Sequence, residues 1–205
     1  MKTAALLLMS FGFFYVARAE ELKPLNVQCM LRGYCFAGSR PDKNAPCGYG
    51  PSDNAPRKLA SQNLGKQGEI SLLVIPESSI RFGHTNQGLR VLLVNRTRSE
   101  AAFDASDSRL SIIQEAQDAQ GQWHPIEYLP SSWCGNSHHR VFLPAGHFWE
   151  FAAPVYSGLF KTRLRFVLQG KKPIYSSVFA GSINPEQFTI KQGHQPTNLM
   201  DPYNE

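Results

Sequence analysis

From Glu69 onward the chain is a succession of short apolar or alternating runs, each closed within a few residues by Pro, Gly, Asn or Asp. No run holds a 3.6-residue period long enough to make a convincing long helix, so the pattern selects strands joined by turns. The sharpest run covers residues 160–168. Phe160, Thr162, Leu164, Phe166 and Leu168 share one face, and Lys161, Arg163 and Arg165 share the other, the two-residue repeat of a half-buried strand. Residues 70–75 read as a strand stopped by Pro76, and residues 79–82 as a short one. Residues 89–94 are apolar on both faces, which places them at the centre of a sheet, with Asn95 as the stop.

Residues 109–116 admit two readings, because Leu110, Ile113 and Ala116 also fit a helix. The turn Asp118-Ala119-Gln120-Gly121, followed by the strand-like residues 122–128, favours a hairpin; Gly121 supplies the positive φ that such a turn needs. Residues 140–143, 147–152 and 173–180 bring the count to about nine strands at short, regular spacing. The expected architecture is all-β, an antiparallel sandwich over residues 69–180, with a closed barrel as the alternative. Residues 181–205 lose all periodicity at Gly193, Pro196 and Pro202 and read as a C-terminal tail packing on the domain.

The first 19 residues have the layout of a signal peptide. Lys2 is the positive region, residues 4–16 are the apolar run, and Ala17-Arg18-Ala19 puts small residues before a cut at Glu20. The run is too short to span a bilayer comfortably, and no second apolar run of about 20 residues follows, so no transmembrane segment is expected after cleavage. A retained anchor is the competing reading. Removing Lys2 and Arg18 lowers the formal net charge from +5 to about +3, too mild to argue for nucleic acid. Abundant aromatics, with charged residues at only 18%, suit an exported β fold, periplasmic or extracellular.

Residues 20–68 are crowded with Gly, Pro, Asn and Asp and hold three of the four cysteines, Cys29, Cys35 and Cys47; the fourth is Cys134. A long irregular segment of this kind is usually stapled or functional. In an oxidising compartment four cysteines read as two disulfides with three possible pairings. Cys35–Cys47 with Cys29–Cys134 is the favoured set. The first would close a loop of about 13 residues, contributing roughly 3 kcal/mol; the second would pin this N-terminal arm to the centre of the chain.

That centre is the loop Pro130-Ser131-Ser132-Trp133-Cys134-Gly135-Asn136-Ser137-His138-His139. A thiolate beside an imidazole is a nucleophile–base pair, but only if Cys134 is free and activated; a disulfide cysteine beside exposed histidines is the plainer reading. His124, His138, His139 and His147 flank the region and are weak metal candidates, since imidazole suits Zn or Cu. No two of them have the i, i+2 spacing that puts two ligands on one strand face. No catalytic residue and no cofactor is assigned. The binding candidates are Trp133, Asn136, His138, His139, Trp123 and Tyr128. Trp123, Trp133, Trp149, Tyr128 and Tyr156 are a possible stacking platform for a sugar or peptide, and Lys161, Arg163 and Arg165 a possible anionic contact. Core packing and a solvated sheet face are the plainer readings of these two sets.

Two resemblances bear on the whole. The Gly121-Gln122-Trp123 hairpin, the Leu143-Pro144-Ala145-Gly146 turn and the closing run from Gly158 are similar to bacterial immunoglobulin-like sandwiches, among them proteinase-inhibitor and adhesion modules. That implies an immunoglobulin-like fold and nothing about activity. The stretches Asp107-Ser108-Arg109-Leu110, Ile126-Glu127-Tyr128-Leu129-Pro130-Ser131-Ser132-Trp133-Cys134-Gly135-Asn136-Ser137, Gly181-Ser182-Ile183-Asn184-Pro185 and Met200-Asp201-Pro202-Tyr203-Asn204 resemble a set found together in secreted bacterial proteins of unknown function. That implies export and assigns no residue a role. The expectation is an exported non-enzymatic binding or scaffold module of the cell envelope or extracellular space, whose partner is a protein or glycan. The alternative is a small metal-dependent or hydrolytic enzyme using the His-rich loop.

Overall fold

A computed structural model describes residues 21–46, 48–60, 63–129 and 135–191. The expected signal peptide, Cys47, the Trp133 and Cys134 end of the central loop, and residues 192–205 of the tail lie outside the described residues. The chain is all-β, with several antiparallel sheets. Its strands are β1 (Leu31–Arg32), β2 (Arg57–Lys58), β3 (Ile70–Phe82), β4 (Asn86–Asn95), β5 (Ala101–Ser106), β6 (Arg109–Leu110), β7 (Ile112–Gln117), β8 (Trp123–Pro125), β9 (Glu127–Tyr128), β10 (His138–Leu143), β11 (His147–Pro154), β12 (Phe160–Leu168), β13 (Ile174–Tyr175) and β14 (Phe179–Ile183).

Four strands in the order β2-β11-β4-β3 make one sheet. A second has the order β10-β5-β6, and a third β13-β12-β7-β8, with β14 also on β12. The parallel pair β1-β9 stands apart. Leu72 and Val74 of β3, Val91 and Leu93 of β4, and Trp149 and Phe151 of β11 form one face of the first sheet. They share a buried cluster with Val141 and Leu143 of the second sheet and with Ile112, Phe166 and Leu168 of the third. The core is therefore enclosed between the first sheet and the other two.

β4 lies between β3 and β11, as its two apolar faces require. β12 alternates as its sequence implies, with Lys161 and Arg163 exposed and Leu164, Phe166 and Leu168 buried. Elsewhere the boundaries shift. Residues 70–82 form one strand rather than two, because a register break between Ile75 and Ile80 accommodates Pro76, which cannot donate to the ladder. Residues 109–116 are two strands rather than one. β6 pairs with β5 and β7 with β12, so the chain changes sheets at Ser111 while Leu110 and Ile112 stay in the same core. Residues 181–183, expected in the tail, extend β14 along β12. Gly181 allows this, since a Cβ there would stand 2.4 Å from Leu164 Cδ1.

The N-terminal arm is irregular, as its composition demands, but it is not held by the expected bridges. Cys29 and Cys35 are both free thiols. Cys35 is fully enclosed in the apolar core, at 0% exposure. Hydrogen bonds tie the arm down instead. Trp149 Nε1–H donates to Gly38 O at 2.9 Å, and Asn54 Nδ2 donates to Phe36 O at 2.9 Å and Glu150 O at 3.1 Å. Leu110 N–H donates to Cys35 O at 2.9 Å. Asp42 accepts from the Arg140 backbone N–H at 3.1 Å and from its guanidinium at 3.2 Å.

Candidate functional site

Three places gather polar chemistry. The first is a buried carboxylate. Glu127 opens β9 and is 1% exposed. Its Oε1 accepts the hydroxyls of Tyr34 at 2.7 Å and Tyr156 at 2.8 Å, and Gln114 Nε2 at 3.2 Å; its Oε2 accepts the Gln114 backbone N–H at 2.9 Å. Burial lifts the carboxyl from its ordinary 4.5 to about 7, against the opposing pull of these donors. Burial and then the Glu127 charge push the Tyr34, Tyr156 and Cys35 protons to higher pH. Three phenol and amide side chains from the arm, β7 and the segment after β11 thus converge on one acid. Their geometry joins segments and leaves no open face for a substrate.

The second place joins two of the sequence motifs to the N-terminal arm. Asp107 and Ser108 form a tight turn between β5 and β6, with φ of 49° and 63°. Asp107 N–H donates to Ser137 O at 2.8 Å, and Gly50 N–H donates to Asp107 Oδ1 at 2.8 Å. The Tyr49 ring stacks on the His139 ring with centroids 3.8 Å apart. His139 Nε2 lies 3.4 Å from Ser108 Oγ, and its Nδ1 lies 3.1 Å from Ser137 O. A serine beside an imidazole invites a nucleophile–base reading. The geometry argues otherwise. The Ser108 hydroxyl donates to Gly50 O at 2.7 Å, the imidazole contact is long, and Ser108 is 2% exposed. Beside this node runs a groove of about 460 Å³ lined by Asp42, Asp104, His138 and Arg140 among others.

The third place is the outer face of the third sheet. The Arg165 guanidinium lies between two rings, 4.2 Å from the centroid of Trp123 and 4.1 Å from that of Tyr175. Its Nε donates to Glu115 Oε2 at 2.7 Å. Two and four residues back along β12, on the same side, stand the exposed Arg163 and Lys161. Their neighbours on β14 are Ala180 and Ser182.

The residues singled out in the sequence separate accordingly. Trp123 joins the outer face, whereas Trp149, Tyr128 and Tyr156 are buried and form no platform. Asn136 and His138 are exposed at the start of β10, while His139 is buried under Tyr49. His124 of β8 is paired with Asp118 at 2.8 Å, and His147 of β11 has Nδ1 2.9 Å from Ala145 O. The four histidines therefore fall on three different sheets. Among the described residues no three His, Cys, Asp or Glu side chains gather as metal ligands. Sequence reasoning gave no role to Glu127, an acid between Ile126 and Tyr128, or to Ser108, although both stand in the stretches that carry the resemblance. Tyr34, Tyr49 and Tyr175 carried no local signal.

No protein family, curated protein or solved structure matches the chain. No helix among the described residues is long and apolar enough to cross a membrane.

Proposed function

We propose that the chain is an exported, non-enzymatic binding or scaffold module of the cell envelope or extracellular space, built on an immunoglobulin-like sandwich. The observation that carries this reading is the outer face of the third sheet, where Lys161, Arg163 and the Trp123–Arg165–Tyr175 stack stand together. The one core shared by the first sheet and the other two supports the sandwich. The signal-like residues 1–19 support export. The central loop contributes less than its sequence suggests, since His139 is turned inward. The rival reading, a small enzyme using the His-rich loop, has less support. The Ser108 hydroxyl is committed to Gly50 O, and His124, His138 and His147 sit on different sheets.

Thiol counting tests the exported, cross-linked part of the reading. The protein is taken from an oxidising compartment, unfolded without reductant and alkylated. Two alkylated thiols are expected, Cys29 and Cys35, leaving Cys47 and Cys134 as the only pair able to be joined. Four alkylated thiols would show that no disulfide forms in the oxidising compartment and would leave export resting on the signal-like residues 1–19 alone.

A further inference from the structure

Resting on the binding-module reading, we propose that the outer face of the third sheet binds an acidic polysaccharide, its carboxylates or sulfates meeting Lys161 and Arg163. These two side chains project from the same side of β12, two residues and therefore about 7 Å apart. Arg165, next in the row, is neutralised by Glu115. Lys161 and Arg163 have no carboxylate partner among the described residues, and the rungs beside them are the neutral Ser182 and Ala180. Three like charges in a row with one counter-charge give this face a net positive field that favours an anion.

The spacing and the surroundings choose the class of polymer. Two free cations about 7 Å apart are far sparser than the phosphates of duplex DNA, about one per 1.7 Å of axis. A peptide laid over a sheet face finds no backbone partners, because the sheet's own N–H and C=O groups are already used in its ladders. A sugar polymer needs neither. Its acid groups fall once per ring or per few rings, its hydroxyls suit Ser182, and its C–H faces suit aromatic rings such as Tyr175, which is 48% exposed. Trp123 and Tyr175, fixed by the guanidinium between them, form a rigid wall at one end of the cationic row.

The test measures retention of purified protein, at low and at physiological salt, on polygalacturonate, dextran sulfate, neutral dextran, poly-L-glutamate and a single-stranded oligonucleotide. Wild type is compared with Lys161→Ala/Arg163→Ala, and with Lys171→Ala/Lys172→Ala as a control that removes two exposed charges from the neighbouring turn. Preferential binding of polygalacturonate or dextran sulfate is expected. It should weaken at least tenfold in the β12 variant, change less than twofold in the control, and fall with salt. The two acidic glycans separate carboxylate from sulfate recognition. Equal retention of the β12 variant overturns the proposal, as does binding of poly-L-glutamate or the oligonucleotide as tightly as the glycans. A preference for neutral dextran overturns the acidic class but leaves the binding reading in place. Failure on every polymer removes the assigned surface, whereas the thiol count above tests export separately.

Discussion

Glu127 is a carboxylate in the interior whose hydrogen-bond donors among the described residues are two phenols, an amide side chain and a backbone N–H. Its folded-state value of about 7 lies above the ordinary 4.5, so between these values the folded chain holds a proton that the unfolded chain releases. This contribution to stability is fully present below about pH 4.5 and is lost as pH rises through 7. At 1.36 kcal/mol per unit the difference is about 3 kcal/mol. Urea midpoints should therefore fall between pH 5 and pH 8; a midpoint that rises over that range would show that the charged form is the better accommodated one. Tyr156→Phe removes one of the donors to the ionised acid. A loss of about 1.5–3 kcal/mol is expected at pH 8 and a smaller one at pH 5. Equal losses at both pH values would mean that the phenol acts by packing alone. Asp42 titrates the other way. The Arg140 hydrogen bond, with help from the Asn44 amide, holds its carboxyl down at about 2, so its contribution is present above the ordinary 3.8 and lost only in strong acid.

At the level of elements, β12 is the strand around which the third sheet is assembled, since it pairs with β7 on one side and with β13 and β14 on the other. Its entry is as constrained as its interior. A Cβ on Gly158 would stand 2.1 Å from the Ile183 carbonyl carbon and 2.4 Å from the Asn184 nitrogen, both backbone atoms. Gly158→Ala must therefore push the end of β14 away, with an expected loss of about 3 kcal/mol in chemical denaturation. A Gly158→Ala chain as stable as wild type would mean that the β14 contact is not made in solution. Elements of this kind were also the ones most readable in the sequence. β12 and β4 announced themselves because their faces differ strongly, or not at all, in hydropathy. β5 did not, because Ala101, Ala102, Ala105 and Ser106 give almost no contrast between faces. The break at Ser111 was invisible because Leu110 and Ile112 serve one core from two sheets. The Glu127 node was unreadable for a different reason. Tyr34 lies 93 residues from its acid and Tyr156 lies 29, and no local period encodes such distances.

Over the whole molecule, side-chain and backbone hydrogen bonds tie the arm and the sheets into one connected unit. Cys35 reports on that unit. Its thiol is at 0% exposure and pushed well above its ordinary value, so it is shielded both sterically and chemically. A thiol reagent should modify the partly exposed Cys29 quickly in the native protein. Cys35 should react only as fast as the chain unfolds. Equal rates at the two sites would show that the arm detaches without unfolding of the sheets. The register break in β3 has a further bearing, on how neighbouring molecules meet. β3 ends its sheet, and an unbroken 13-residue margin would be a template on which another chain could lay a strand. With Pro76 at the break, regular pairing on β4 runs only from Ile70 to Ile75 and from Ile80 to Phe82. The break at Pro76 therefore shortens the regular margin that this edge offers to a second chain, and edge-to-edge growth into fibres is disfavoured at that strand.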